Sequence, residues 1–132
     1  PLRRSPQEAR RRVTRYVELP HAVGVTEELG LHIRDIGLLS SALARPSSSM
    51  FGVEAYPDLE VKAAALLSSL SQNHPLFDGN KRFSWVLTLT FLEMNNVIID
   101  METELAFDLI LRTAQSKAGL DEIAALLRAH RR

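Results

Sequence analysis

The strongest constraint on the fold is a pair of helix-length apolar runs held apart by one short polar stretch. Asp58 is placed to cap a helix reaching about Asn73, in which Val61, Ala64, Ala65, Leu66 and Leu67 are apolar over much of the circumference. A second run, from about Asn80 to Met94, spreads Phe83, Trp85, Val86, Leu87, Leu89, Phe91 and Leu92 over most faces. A helix that is apolar on most sides has to be surrounded by protein. The two runs are therefore predicted to be central buried helices. The stretch His74-Pro75-Leu76-Phe77-Asp78-Gly79-Asn80-Lys81-Arg82 is then a tight polar loop at their shared end, a rigid mount for a site.

The residue types in that loop point to phosphate chemistry. It opens onto a helix N-terminus, where unpaired backbone N–H groups and the positive end of the dipole attract anions. Gly79 has no Cβ to keep a ligand away from the backbone. Lys81 and Arg82 place two cations at the same turn, and the planar fork of Arg82 suits phosphate oxygens. Asp78 supplies a hard oxygen of the kind Mg²⁺ uses when it is shared with substrate phosphates, or it caps the following helix. Asn80 has the same double reading, as a cap or as a donor to a phosphate. His74 is the one side-chain type in the loop whose unperturbed pKa lies near neutrality, which suits a general base. Leu76 and Phe77 read as apolar anchors. Together these residues predict nucleotide chemistry.

The rest of the chain predicts further helices. Ser5-Pro6-Gln7-Glu8 is a capping-box pattern that starts a helix running to about Leu19, ended by Pro20. That helix carries Arg10, Arg11, Arg12 and Arg15, with Arg3 and Arg4 before it. Without interleaved aromatics this cluster reads as a solvated face rather than a nucleic-acid surface. His21 to Leu31 predicts a short helix and a turn; His21 and His32 lack partners at metal-ligand spacing. Asp35 is placed to cap a helix to Arg45, with Ile36, Leu39 and Leu43 as its buried stripe and Pro46 as its stop. Residues 46–57 form the longest irregular segment. Asn95-Asn96 ends the second central helix, Val97-Ile98-Ile99 is a short extended connector, and Thr103 to about Ser116 is amphipathic through Leu105, Leu109 and Leu111. Gly119 breaks that helix, and Asp121 caps a last one from Glu122 to about Arg128, with Ile123, Leu126 and Leu127 inward. The fold class is all-α, a compact helical bundle.

A chain of 132 residues predicts one domain, 1–132, burying roughly two-thirds of its unfolded surface. Its 16 basic and 16 acidic residues cancel, so no global charge draws it to nucleic acid or membrane. Cysteine is absent, which excludes disulfides and thiolate metal sites and fits a reducing compartment. No apolar run reaches about 18 residues, so no membrane span is expected. The first residue is Pro1 rather than methionine, which leaves the native N-terminus open.

His74-Pro75-x-x-Asp78-Gly79-Asn80-x-Arg82 resembles the signature loop of the Fic/Doc superfamily, and Lys81 in the penultimate place resembles its death-on-curing (Doc) toxin branch. Gly37 to Pro46, Tyr56-Pro57-Asp58-Leu59, Lys62 to Leu67 and Phe91 to Asn95 are also similar to Doc segments. The resemblance covers roughly residues 21–129, leaving 1–20 as a basic N-terminal helix. It implies a helical Fic/Doc bundle with His74 as catalytic base, Asp78 as the Mg²⁺ ligand, and Gly79, Asn80, Lys81 and Arg82 on the phosphates of ATP. It also implies that 46–57 holds a flap, in which Met50, Phe51, Gly52 and Val53 position the target polypeptide by main-chain pairing.

Two departures from the pattern bear on function. The family usually has Phe where Leu76 stands, which predicts a repacked anchor. Nucleotide-transferring Fic members have a small Gly where Lys81 stands; a long charged side chain obstructs that space and favours transfer of the γ-phosphate. The resemblance therefore implies a bacterial cytoplasmic toxin that phosphorylates a Ser/Thr hydroxyl, on elongation factor Tu, and stops translation. A Phd-type antitoxin would neutralise it in trans, because the nearest match to a Fic self-inhibitory motif, Thr14 with Glu18, fails at Leu19. Nucleotide transfer onto a protein hydroxyl is the alternative reaction, and a non-catalytic partner-binding protein the alternative class.

Overall fold

A run of alanines and leucines with no continuous polar face has to sit inside other elements, and Leu59–Asn73 does. In the computed structural model, which describes residues 14–132, this helix packs against four others. The helices are α1 (Leu19–Leu29), α2 (Ile36–Ala44), α3 (Leu59–Asn73), α4 (Asn80–Met94), α5 (Thr103–Ala114) and α6 (Leu120–Ala129). A 3₁₀ turn, Arg45–Ser47, and an antiparallel hairpin of β1 (Ser49–Met50) and β2 (Val53–Glu54) lie between α2 and α3. The described residues are thus all-α apart from one small hairpin, as expected.

α3 contacts α2, α4, α5 and α6. Ala63, Ala64, Ala65, Leu67 and Leu70 are fully buried, and the short alanines let neighbouring backbones come close. Its buried hydroxyls are satisfied: Ser71 donates to the Leu67 carbonyl at 2.7 Å, and Ser69 accepts from Arg45 Nη1 at 2.9 Å. α4 is more one-sided than its composition suggests. Phe83, Leu87, Phe91 and Leu92 are buried, whereas Trp85, Val86 and Leu89 are only half-buried. One buried cluster draws on all six helices and includes Leu76 of the loop.

The central helices and their shared loop have the expected bounds, and Asp35 caps α2 by accepting from the Leu38 N–H at 3.0 Å. Elsewhere the sequence reading needs correction. Residues 14–18 are not helical, and Pro20 opens α1 instead of ending a preceding helix. A proline in the first turn gives up an N–H that had no partner anyway. The rest of the expected basic helix lies outside the described residues. Ile36 is half exposed, because it stands in the first turn of α2, and Ala42 joins Leu39 and Leu43 in the core. Asp58 occupies the cap position of α3 without bonding to it; its carboxylate faces Arg128 at 3.5 Å. Gly119 takes the cap position of α6, and Asp121 lies in the first turn, where it complements the dipole.

The segment at 14–18 is held from α4. The Asn95 side chain accepts from the Arg15 N–H at 2.8 Å and donates to the Arg15 carbonyl at 2.8 Å. Tyr16 stacks on Phe91 with ring centroids 6.0 Å apart. Lys62, buried on α3, stands 5.5 Å from the centre of the Tyr16 ring and donates to Glu54 of β2 at 2.8 Å and to the Pro46 carbonyl at 3.2 Å. This lysine therefore ties the base of the hairpin to the central helix. No helix among the described residues is long and apolar enough to cross a membrane.

Candidate active site

The loop between α3 and α4 is short, yet its course is fixed from three directions. α3 ends on His74, which adopts a left-handed conformation with φ 52° and ψ 58°. A residue with a Cβ rarely takes this region, so the turn needs outside support. Arg34, from the segment between α1 and α2, donates to the His74 carbonyl from Nε at 3.0 Å and from Nη2 at 2.5 Å. Residues 32–35 then run beside the loop as an extended partner. Arg34 and Asp35 donate backbone N–H groups to the Pro75 carbonyl at 2.8 and 3.0 Å, and Phe77 donates to the His32 carbonyl at 3.1 Å. Ile33 and Leu76 form an antiparallel bridge.

The other support comes from α4. Asn80 accepts from the Leu76 N–H at 2.9 Å and donates to the Leu76 carbonyl at 3.0 Å, so its amide acts as a substitute peptide. Leu76 is 1% exposed and anchors the loop in the core, whereas Phe77 is 71% exposed. The expectation of two apolar anchors is corrected to one: adjacent residues in this extended stretch point to opposite sides. Gly79 has φ 80°, and a Cβ there would stand 2.7 Å from Leu31 Cδ2. The positive φ is what favours glycine here, and any Cβ would also have to push the tip of the Leu31 side chain aside.

On this frame the charged and titratable side chains of the loop face solvent. His74, Asp78, Lys81 and Arg82 are all exposed. Asp78 accepts the Gly79 N–H on Oδ1 at 2.9 Å, leaving its other oxygen available. Lys81 and Arg82 form no ion pair among the described residues. The N–H groups of Asn80, Lys81 and Arg82 open α4 without a partner among those residues. A helix N-terminus with free donors and two uncommitted cations is suited to an anion.

Every loop residue singled out in the sequence thus lies on one turn or on the helix it opens. The side chain of Asn80 is occupied by Leu76, so an anion at this turn would meet its backbone N–H rather than its amide. Met50, Phe51 and Val53 are on the hairpin, 71%, 97% and 69% exposed, and no hydrogen bond joins the hairpin to the loop among the described residues. Leu31 and Arg34 were not singled out from the sequence. Arg34 meets its partner 40 positions later, and nothing in the local pattern signals such a contact.

Residues 13–92 match the Fic/DOC family. The chain is also 50% identical over 99 residues, covering 74% of its own length and 76% of the relative, to the protein named Toxin Doc from Mycolicibacterium smegmatis (strain ATCC 700084 / mc(2)155). The chain belongs to the Fic/DOC family.

Within the Fic/DOC family it falls with the Doc branch. Its Leu76, in place of the usual Phe, still fills the buried socket. The family works with ATP and a metal ion, and the donor set here fits that need in one respect. Asp78 offers a free carboxylate oxygen beside the free N–H groups of α4, the arrangement for a Mg²⁺ shared with phosphates. No cluster of three or more His, Asp or Glu forms a dedicated metal cage among the described residues.

Proposed function

We propose that this Fic/DOC protein is the toxin of a toxin–antitoxin pair and transfers the γ-phosphate of ATP to a Ser/Thr hydroxyl of a protein target. Family membership supports a transferase acting on proteins, and the Doc relative supports a toxin. The observation that carries the choice of phosphate over nucleotide is Lys81. It stands exposed and without an ion pair in the first turn of α4, so its charge and bulk occupy space that a glycine would leave open for a second phosphate site.

The proposed reaction assigns each group a task. His74 takes the proton of the target hydroxyl as its oxygen bonds to the γ-phosphorus; the bond from that phosphorus to the bridging oxygen breaks and ADP leaves. Lys81, Arg82 and the free N–H groups of α4 hold and neutralise the phosphates, and such transfers depend mainly on positioning and charge. Mg²⁺, when bound, supplies further neutralisation, with Asp78 as the residue that would hold it. Met50, Phe51, Gly52 and Val53 present an apolar hairpin tip and free strand edges for a target segment. The proposed target is elongation factor Tu, so that translation stops.

Control in trans by a Phd-type antitoxin agrees with the N-terminal segment. Thr14 and Glu18, the nearest match to a self-inhibitory helix, lie in a non-helical stretch.

Purified protein, Mg²⁺, elongation factor Tu and ATP labelled at either the γ- or the α-phosphate test the proposal, with His74→Ala as control. Label arriving from the γ position alone, and lost in the control, is the expected result. Label from the α position would establish nucleotide transfer and remove the argument from Lys81. Full toxicity of His74→Ala in cells would point instead to a non-catalytic binder.

A further inference from the structure

The imidazole of His74 is exposed and makes no hydrogen bond among the described residues, so its place is decided by the backbone that carries it. That backbone is left-handed at φ 52° and ψ 58°, a conformation that persists in a residue with a Cβ only where its surroundings impose it. The side chain that reaches it is Arg34. Its guanidinium donates twice to the His74 carbonyl, at 3.0 and 2.5 Å, and makes a longer contact to the Asn73 carbonyl at 3.4 Å. Its own backbone is fixed to the same loop by the N–H donated to Pro75 at 2.8 Å. A cation at this end of α3 also meets the negative pole of the helix and satisfies carbonyls left open by its termination.

We infer that Arg34 is a positioning residue: it holds the His74 backbone so that the imidazole stands where a target hydroxyl arrives. The inference rests on the transfer reaction proposed above, with His74 as base. Its role differs from those of Lys81 and Arg82. Their charges are uncommitted, whereas the Nε–Nη2 edge of Arg34 is already engaged by the carbonyl oxygens of Asn73 and His74. Lysine cannot replace it, because a single ammonium does not reproduce the planar fork. Loss of Arg34 lets His74 relax from the left-handed region and swings its Cα–Cβ bond away from the reacting centre. The phosphate-binding turn of α4 is untouched.

Arg34→Ala and Arg34→Lys should therefore lower kcat about tenfold to a hundredfold, the scale of a misplaced catalytic group, with the KM for ATP little changed. Millimolar guanidinium should restore turnover to Arg34→Ala without activating wild type or His74→Ala. In parallel, the ¹³Cα and ¹³Cβ shifts of His74 should report a left-handed residue in the wild type and lose that signature in both variants. Wild-type turnover in Arg34→Ala, loss of turnover that guanidinium does not rescue, or an unchanged His74 signature would each overturn the inference. If wild-type protein transfers no label at all, the reaction proposed above fails, and the spectroscopic arm alone decides whether Arg34 sets the conformation of His74.

Discussion

Replacing Gly79 by alanine isolates the physical demand of the loop from any chemistry it performs. Two effects add. At φ 80° an L-residue is strained by about 1–2 kcal/mol relative to glycine. The new methyl would also lie 2.7 Å from Leu31 Cδ2 and 3.1 Å from Cδ1, the tip of a flexible half-buried side chain that must turn aside at a cost of about 0.5–1.5 kcal/mol. Gly79→Ala should therefore destabilise by about 1.5–3.5 kcal/mol, an appreciable share of the stability of an ordinary domain. Equilibrium urea denaturation followed by far-ultraviolet circular dichroism measures it. A double-mutant cycle with Leu31→Ala separates the two effects, since truncating Leu31 removes the clash and leaves the backbone strain. The pair should be less destabilised than the sum of the singles by about 0.5–1.5 kcal/mol. A Gly79→Ala protein as stable as wild type would refute the whole reasoning, and strict additivity with Leu31→Ala would refute the steric half of it.

Other consequences can be checked in the same way. Asn80→Ala removes both hydrogen bonds to the Leu76 backbone and should cost about 1–3 kcal/mol in urea denaturation. Leu76→Ala empties a site that is 1% exposed and should cost about 2–5 kcal/mol, whereas Phe77→Ala beside it should stay within about 0.5 kcal/mol of wild type. Burial works against the Lys62 ammonium, but its hydrogen bond to Glu54 and its proximity to Tyr16 outweigh that and hold its pKa above the ordinary lysine value. With the folded pKa raised, the stabilisation is complete below about pH 10.4 and is lost as pH rises through the folded value. Melting temperatures of wild type and Lys62→Met should therefore converge as pH climbs through that window.

The central helices were legible because their signals are local. A cap position, an apolar run and a polar interruption together defined Leu59–Asn73 and Asn80–Met94, and the residues at their junction carried the resemblance to the Fic/DOC family. What escaped was set at long range or by a balance between two local rules. Pro20 is compatible with ending one helix or beginning another, and only the neighbouring chain, held to Asn95, decides between them. Ile36 and Phe77 are apolar by type, but their exposure depends on which way an element's first turn or an extended stretch faces. The bracing of the loop by residues 32–35 could not be read at all, since a lone bridge leaves no alternating pattern. Asn80 was legible as a member of the site, but its amide proved to be committed to the backbone of Leu76.

The helix that opens at the site carries an asparagine at its first position and another just past its last, and each grips the backbone N–H and carbonyl of one residue, Leu76 close in sequence and Arg15 far from it. Such a grip reads main chain and is blind to the side chain attached to it. Arg15, whose side chain is exposed, can therefore be exchanged for other residues without altering how the chain is held there, provided the replacement is not proline, which lacks the N–H. The two grips therefore differ in what they leave open: at Arg15 only the main chain is constrained, whereas at Leu76 the buried side chain is constrained as well.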